Sequence, residues 1–284
     1  MFSAIGKTIK WIGQHFMGML FLLIVVVVFM PKSETTLNPA NLQEIELLGP
    51  IMSADLVIKE IEKAQKDPKI KGVLLNVNSP GGAVPPSIEI AYAIKELKKH
   101  KPVIAYASGI MASGSYYASI YANKIIANPG SIVGSIGVIM QSVNAEELMK
   151  TIGVKPQTVK QGTYKEAGTP TREWTAEERA ELETLTKDTY DLFVKDVATA
   201  RGLDINASKS YADAHIFSSQ RAKSVGLIDE VGVKSQAKTQ VAELAKVEKP
   251  VWKEKDKFET FMDKLGTKSI MKLQSYFYGL KASL

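Results

Sequence analysis

Residues 109–122, GIMASGSYYASIYA, hold three serines, Ser113, Ser115 and Ser119, with Ser108 just upstream. Ser113 lies between Ala112 and Gly114, where a helix should begin. A serine at such a place commonly serves only as an N-cap. As a nucleophile it would gain the electrostatic support of a helix N-terminus, and its small neighbours would admit a substrate backbone. Ser115 falls inside the first turn beside Tyr116 and Tyr117, while Ser108 and Ser119 read as strand-end and helix-face residues.

A serine nucleophile needs a base. The chain has three histidines, His15, His100 and His215. His100 ends a lysine-rich helical run, KELKKH, where a cation suits the helix dipole, and His215 sits in a separate segment, so neither suits a Ser-His-Asp triad. Lysine can replace histidine if it is neutral. An amine with an ordinary pKa of about 10.4 is almost wholly protonated at neutral pH; holding it neutral costs roughly 4 kcal/mol and calls for burial away from carboxylates. Most lysines here lie on helix faces among glutamates. Lys165, between Gly162 and Gly168, and Lys160 just before it are the exceptions. Glu166 must then point away from Lys165, and a loop lysine with no such role is simply solvated.

The segment NVNSPGG, residues 76–82, comes straight off an apolar run. Its Pro80-Gly81-Gly82 turn exposes N–H groups that can hold an oxyanion, although a strand-to-helix turn asks for Pro and Gly in any case. No Gly-Lys-Ser/Thr follows, so a phosphate loop is not supported. The absence of cysteine excludes thiolate catalysis, disulfides and cysteine-rich zinc sites. The scattered histidines form no spaced ligand pair, and neither metal nor cofactor is expected.

The elements that must carry these residues alternate. Strands are expected at 43–49, 71–78 and 102–108, and helices at 53–66 and 86–100, the latter with Pro85 and Pro86 at its start. YYASIYA continues as a short helix, KIIANPGSIVGSIGVIM holds two short strands around turns, and 145–152 is helical. The loop 162–174 ends at Thr175, which forms a capping box with Glu178 and opens a helix running to about Arg201, where Gly202 stops it. A second small helical region follows. This order predicts an α/β domain with much parallel pairing.

The net charge of +6 is concentrated at the ends. Residues 1–32 carry +3, and residues 246–284 carry nine lysines against five acids, leaving the stretch between at −1. Two basic ends on a near-neutral body suit a membrane surface better than a nucleic-acid groove. The uncharged run FMGMLFLLIVVVVFM, residues 16–30, extends back to Trp11 and Ile12 if Gly13, Gln14 and His15 sit at the interface. Roughly 19 residues at about 1.5 Å each approach the ~30 Å of bilayer hydrocarbon. The exit through MPKSETT lacks a small-x-small cleavage pattern, so an uncleaved anchor is expected. Lys7 and Lys10 keep the short N-terminus cytoplasmic and place the body outside the cytoplasm, in the periplasm of a Gram-negative cell. The expected division is a cytoplasmic N-terminus and anchor at 1–32, a linker at 33–42, a catalytic domain at 43–245 and a basic amphipathic tail at 246–284. That tail suits an oligomer contact or an interfacial helix better than a core element.

Over residues 45–245 the ordered set NVNSPGG, ASG followed by YYAS, GSIGVIMQSVN, VKQGTYKEAGTPTREWT and RAKSVGLIDEVG resembles the signal peptide peptidase A family, membrane-anchored serine proteases of the Clp/crotonase fold with a Ser-Lys dyad. The resemblance implies a Clp/crotonase-like α/β fold of repeated ββα units. It implies Ser113 as nucleophile, Lys165 as general base, and Ser135 in GSIG as the hydroxyl orienting the lysine amine. By its own surroundings Ser135 is a turn residue. Gly114 N–H, with Gly81 or Gly82 N–H, would form the oxyanion hole. The implied substrates are remnant signal peptides or other apolar peptides, with membrane lipid as a further partner and no nucleic acid. The implied assembly is a dome-like homo-oligomer with sites near subunit interfaces, so Ser113 and Lys165 can come from neighbouring protomers. One position departs from the family: ASGG is replaced by ASGS, putting Ser115 where glycine is usual. A position of positive φ would not accept it, but a helical one would, and a helical one is expected. Two other readings are a crotonase-like acyl-CoA enzyme and a catalytically inactive membrane scaffold.

Overall fold

QEIELL alternates, with Ile45 and Leu47 on one face and Glu44 and Glu46 on the other, while GVLLNVN and VIAYAS carry apolar residues on both faces of an extended chain, the pattern of strands covered on both sides. They form β1 (Leu42–Leu48), β2 (Gly72–Ser79) and β3 (Val103–Ala112), paired parallel in that order. The computed structural model describes residues 11, 13–22 and 39–254. Within them β3 is shared by two neighbours. Residues 104–107 pair with β4 (Lys124–Ala127), and residues 110–112 pair with β5 (Ile132–Gly134). β6 (Ile216–Ser218) runs antiparallel to β5, and β7 (Glu230–Val231) extends the sheet beyond β4. All other pairings are parallel, as the alternation of strands and helices predicts.

Helices cover both faces. Ile45, Val73, Leu75, Val77 and Ala105 pack on one side with Ile61 of α1 (Asp55–Lys66), Ile90 and Ile94 of α2 (Val84–Leu97), Tyr116 of α3 (Gly114–Ser119) and Val197 of α5 (Ala176–Arg201). Between α3 and α5 lies the short α4 (Glu146–Thr151). On the other side Leu42, Leu74, Ile104, Tyr106 and Ile126 meet Ala237 and Val241 of α7 (Lys234–Leu244), which follows α6 (Ser219–Ser224). The alternation along β2, Val73-Leu75-Val77 one way and Leu74 the other, is the period of two that a sheet with two covered faces requires.

The chain departs from its sequence pattern at three places. β3 runs four residues past the expected end at Ser108, because the register with β2 shifts: Val77 faces Ala107, but Ser79 faces Met111. Gly109 permits this bulge, since a Cβ there would lie 2.4 Å from Asn78 Oδ1, and that same oxygen accepts the Ile110 N–H at 3.0 Å. A bulge re-aims the strand beyond it. β6 and β7, of three and two residues, interrupt a stretch expected to be helical; pairing with distant strands creates them, and no local periodicity announces them. The Asn41 N–H donates to Val251 O and the Lys253 N–H to Leu42 O, each at 2.8 Å, so residues 251–253 follow β1, and Trp252 packs on the second core cluster. The sequence pattern assigns those residues to the tail.

The chain divides into two units between Pro39 and Ala40. In the first, residues 13–22 are helical. Among the described residues no helix is long and apolar enough to cross a membrane. Residues 1–10, 12, 23–38 and 255–284 lie outside them, and with them about half of the expected span and most of the basic tail.

Candidate active site

Ser113 stands alone between the end of β3 and the first residue of α3, with φ 53° and ψ −125°. A non-glycine residue in such a conformation costs about 1–3 kcal/mol and persists only where its surroundings over-determine it. Here they do. The Ser113 N–H donates to Gly134 O at 2.8 Å, continuing the β3–β5 ladder, and its carbonyl accepts the Tyr117 N–H at 3.0 Å, opening the helix. The side chain makes no capping hydrogen bond, so the N-cap role that its position suggests is not realised. A serine forced onto a sharp strand-to-helix turn has its hydroxyl presented outward, the geometry of a nucleophile elbow.

The turn after β2 meets this serine. Gly82 and Gly114 line one cleft with Ser113, walled by the apolar side chains of Val84, Ile88, Tyr117, Val138, Leu192 and Phe193. The glycines are required by contact. A Cβ on Gly114 would lie 2.2 Å from Ser87 Oγ and 3.3 Å from Gly82 N, and one on Gly82 would lie 2.2 Å from Ile51 O. Gly81 has φ 94°, and its N–H donates to Ser79 Oγ at 3.2 Å. Among the described residues the Gly82 and Gly114 N–H groups have no such partner, and both edge the cleft beside Ser113.

Ser115 is helical and fully buried. Its Oγ accepts the Ala112 N–H at 2.9 Å and lies 2.7 Å from Ser79 O and 2.9 Å from Ala112 O, to which it can donate. The serine that replaces the usual glycine therefore clips the end of β2 to the end of β3, immediately under the nucleophile turn. Ser119 donates to Ser115 O at 2.8 Å and Ser108 to Val77 O at 3.2 Å, so both are structural. Tyr117 donates its hydroxyl to Asp196, and burial together with that carboxylate pushes the phenol far above its ordinary range. It cannot act as the base.

No histidine lines the cleft. The His100 ring is 3.5 Å from Glu96 on an exposed helix end, and the His215 ring packs tilted against Phe217 with centroids 5.9 Å apart. Ser135, with φ 51°, follows β5 directly and donates its N–H to His215 O at 2.7 Å; Gly137, two residues on, reaches the cleft wall. Lys165 is exposed, lies on the 162–169 loop and does not line its own chain's cleft. The structure thus brings together Ser113, Gly82 and Gly114, with Gly81 beside them and Ser135 one strand away, and leaves Lys165 apart.

The loop that carries Lys165 is pinned by charges that sequence reading did not connect. Glu166 accepts from Lys160 at 2.8 Å and from Arg172 at 3.0 Å, so it does point away from Lys165. Arg172 also grips Glu178 with both terminal nitrogens, at 2.7 and 2.8 Å. Glu178 is 2% exposed and completes the capping box, accepting the Thr175 N–H at 3.0 Å while Thr175 Oγ1 accepts the Glu178 N–H at 3.2 Å. The capping box was legible in the sequence. The clue to its partner is that a buried capping carboxylate needs a cation, and Arg172 lies six residues from each glutamate.

Arg172 holds Glu178 down to about 2 from an ordinary 4.5, with the Thr175 backbone adding to it. A depressed carboxyl pKa contributes stability that is complete above the unfolded value and is lost as the pH falls through the folded one. Melting temperatures measured from pH 7 to pH 2 should therefore decline below about pH 4.5. Arg172→Gln should melt lower at pH 7 and show a flatter decline below pH 4.5, because the carboxylate it strands is no longer favoured in the folded state.

Comparison with known proteins bears on this arrangement. Residues 95–248 match the model of Peptidase family S49. The chain is 45% identical over 193 residues to a candidate protease of Methanocaldococcus jannaschii, covering 68% of this chain and 62% of that protein. It is 37% identical over 207 residues to a candidate protease of Synechocystis, covering 72% and 74%. It is 33% identical over 190 residues to the chloroplastic serine protease SPPA of Arabidopsis thaliana, covering 66% of this chain and 28% of that protein. The chain thus spans under two thirds of the first and under a third of the last.

Proposed function

Because the chain belongs to peptidase family S49, the family of the signal peptide peptidase A proteins, we propose that it is a membrane-anchored serine endopeptidase that cuts apolar peptides, signal-peptide remnants among them, with a Ser113–Lys165 dyad. The observation that carries this reading is Ser113 itself, held in a strained strand-to-helix turn and lining an apolar cleft together with Gly82 and Gly114, whose N–H groups have no partner among the described residues. In the finer fold reading, the parallel β1–β2–β3 core with its crossover helices corresponds to the repeated units of a Clp/crotonase-like domain.

Ser113 Oγ attacks the scissile carbonyl while the Lys165 amine takes its proton. The Gly82 and Gly114 N–H groups receive the charge that develops on the carbonyl oxygen. The ammonium then returns the proton to the leaving amine, and water, deprotonated by the same lysine, hydrolyses the acyl-serine. In this reading Ser135, directly after β5, orients the lysine. The walls of Val84, Ile88, Val138, Leu192 and Phe193 favour an apolar side chain beside the cut. An anchor over residues 12–30, with the body outside the cytoplasm, gives access to substrates released within the membrane.

Lys165 reaches Ser113 from a neighbouring protomer in a homo-oligomer. The exposure of Lys165 outside its own cleft supports this, as do Ile139, Val143, Ile152 and Val159, all exposed on the segment leading to it. The test uses a signal-peptide reporter. Ser113→Ala and Lys165→Ala chains should each be inactive alone, and mixing them should restore hydrolysis through sites that combine the intact serine of one with the intact lysine of the other. Wild-type activity in Lys165→Ala rejects the dyad, and no recovery on mixing places both groups within one chain.

A further inference from the structure

The charged network around Glu166 lies outside the cleft, yet it surrounds the residue next to Lys165. Glu166 is the acid adjacent in sequence to that amine, and a carboxylate within reach of an ammonium favours its charged form. Two cations from either side of the loop engage Glu166 instead: Lys160 at 2.8 Å and Arg172 at 3.0 Å. The same contacts fix the loop mechanically. Arg172 is immobilised by Glu178 in the first turn of α5, Trp174 Nε1 donates to Thr169 O at 2.8 Å, and the loop's own turns are closed by Ala167 N–H to Tyr164 O and Thr169 N–H to Glu166 O. The other charged groups facing the network are Glu146, which accepts the Glu173 N–H at 3.2 Å, Lys150, which pairs with Glu146 at 3.1 Å, and Glu173 and Arg179, which line a surface cleft together with Arg172. Among the described residues Lys165 itself has no ion pair.

We propose that Lys160 and Arg172 are positioning residues for the catalytic lysine: by engaging Glu166 they keep its carboxylate off the Lys165 amine and tie the loop to the start of α5. The inference rests on the dyad reading above. Its physical content is a competition. Glu166 can satisfy its charge with the Lys160–Arg172 pair or with Lys165, and only the first choice leaves Lys165 able to become neutral when it enters a dry site. Both cations lie on the same chain as Lys165, so the competition holds whichever protomer supplies Ser113.

The test compares Lys160→Gln, Glu166→Gln and their double variant in the full chain, using kcat and KM for a chromogenic apolar peptide from pH 6 to pH 10. Lys160→Gln leaves the Arg172–Glu178 grip intact. It is expected to shift the acid limb of kcat upward by about 1 pH unit and lower kcat at pH 7.5 about tenfold, with KM little changed. In Lys160→Gln/Glu166→Gln the acid limb should return to its wild-type position, because no carboxylate remains to capture the amine. A loss of kcat with an unmoved acid limb, or no rescue by the second substitution, overturns the proposal and leaves the network a purely structural tie. Lys165→Ala in the same series separates the two claims. If it is inactive while the Lys160→Gln limb stays fixed, only the positioning role fails; if it is as active as wild type, the dyad fails and the positioning role with it.

Discussion

Replacing Ser113 with glycine should abolish peptide hydrolysis, by a factor on the order of 10³ or more, and at the same time make the protein more stable. Glycine adopts φ 53°, ψ −125° without the steric cost that serine bears there, and the relief of about 1–3 kcal/mol outweighs the roughly 0.5–1 kcal/mol that glycine's extra freedom costs on folding. A net gain of about 1 kcal/mol in denaturant unfolding is expected. Ser113→Ala is the matching control. It should lose activity equally but gain no stability, since alanine carries the same Cβ into the same turn. If both variants show unchanged stability, the turn is not strained and the elbow reading loses its physical basis. The opposed signs of the two effects distinguish a residue held for chemistry from one held for packing.

Gly82→Ala should have the second-largest effect, and here stability and activity should fall together. The added Cβ would lie 2.2 Å from Ile51 O, 2.6 Å from Ile51 N and 2.7 Å from Ile51 C, all backbone atoms with no rotamer to yield. Those atoms belong to the short parallel bridge in which the Ile51 N–H donates to Gly81 O at 2.9 Å and the Ala83 N–H to Ile51 O at 2.8 Å. Relief requires the bridge to open, at a cost of about 3 kcal/mol. The Gly82 N–H would move with it, and losing one oxyanion donor lowers kcat by about 10²–10³. Chemical unfolding and single-turnover acylation with a peptidyl inhibitor measure the two losses separately. Full stability with full acylation would remove Gly82 from the site.

The parts of this design that were legible in sequence are those fixed by neighbours along the chain. β1 shows apolar alternation and β2 a continuous apolar run, Pro85 and Pro86 mark the first turn of α2, and Thr175, Glu178 and Gly202 bracket α5 at both ends. Ser113, Gly82 and Gly114 could be singled out by the family resemblance, since taken alone a serine there reads as an N-cap and the glycines as turn residues. What sequence could not supply was pairing between distant segments. Gly109 looks like a strand stop until Asn78 occupies the space beside it, and β6 exists only because β5 lies opposite. The same holds for Ser115. Its hydroxyl looks merely tolerable in a helix, but three-dimensional contact with Ser79 turns it into a clip between two strands. For Glu166 the sequence posed the right question, where its charge could go, and Lys160 and Arg172 answer it only in the folded loop.

The separation of Lys165 from the cleft of its own chain also bears on safety. Under the between-subunit dyad proposed above, a solitary subunit carries its alcohol and its amine in different places and is inert, so no removable inhibitor is needed to restrain it. On that proposal assembly itself is the switch, and dilution turns it off again without any covalent change.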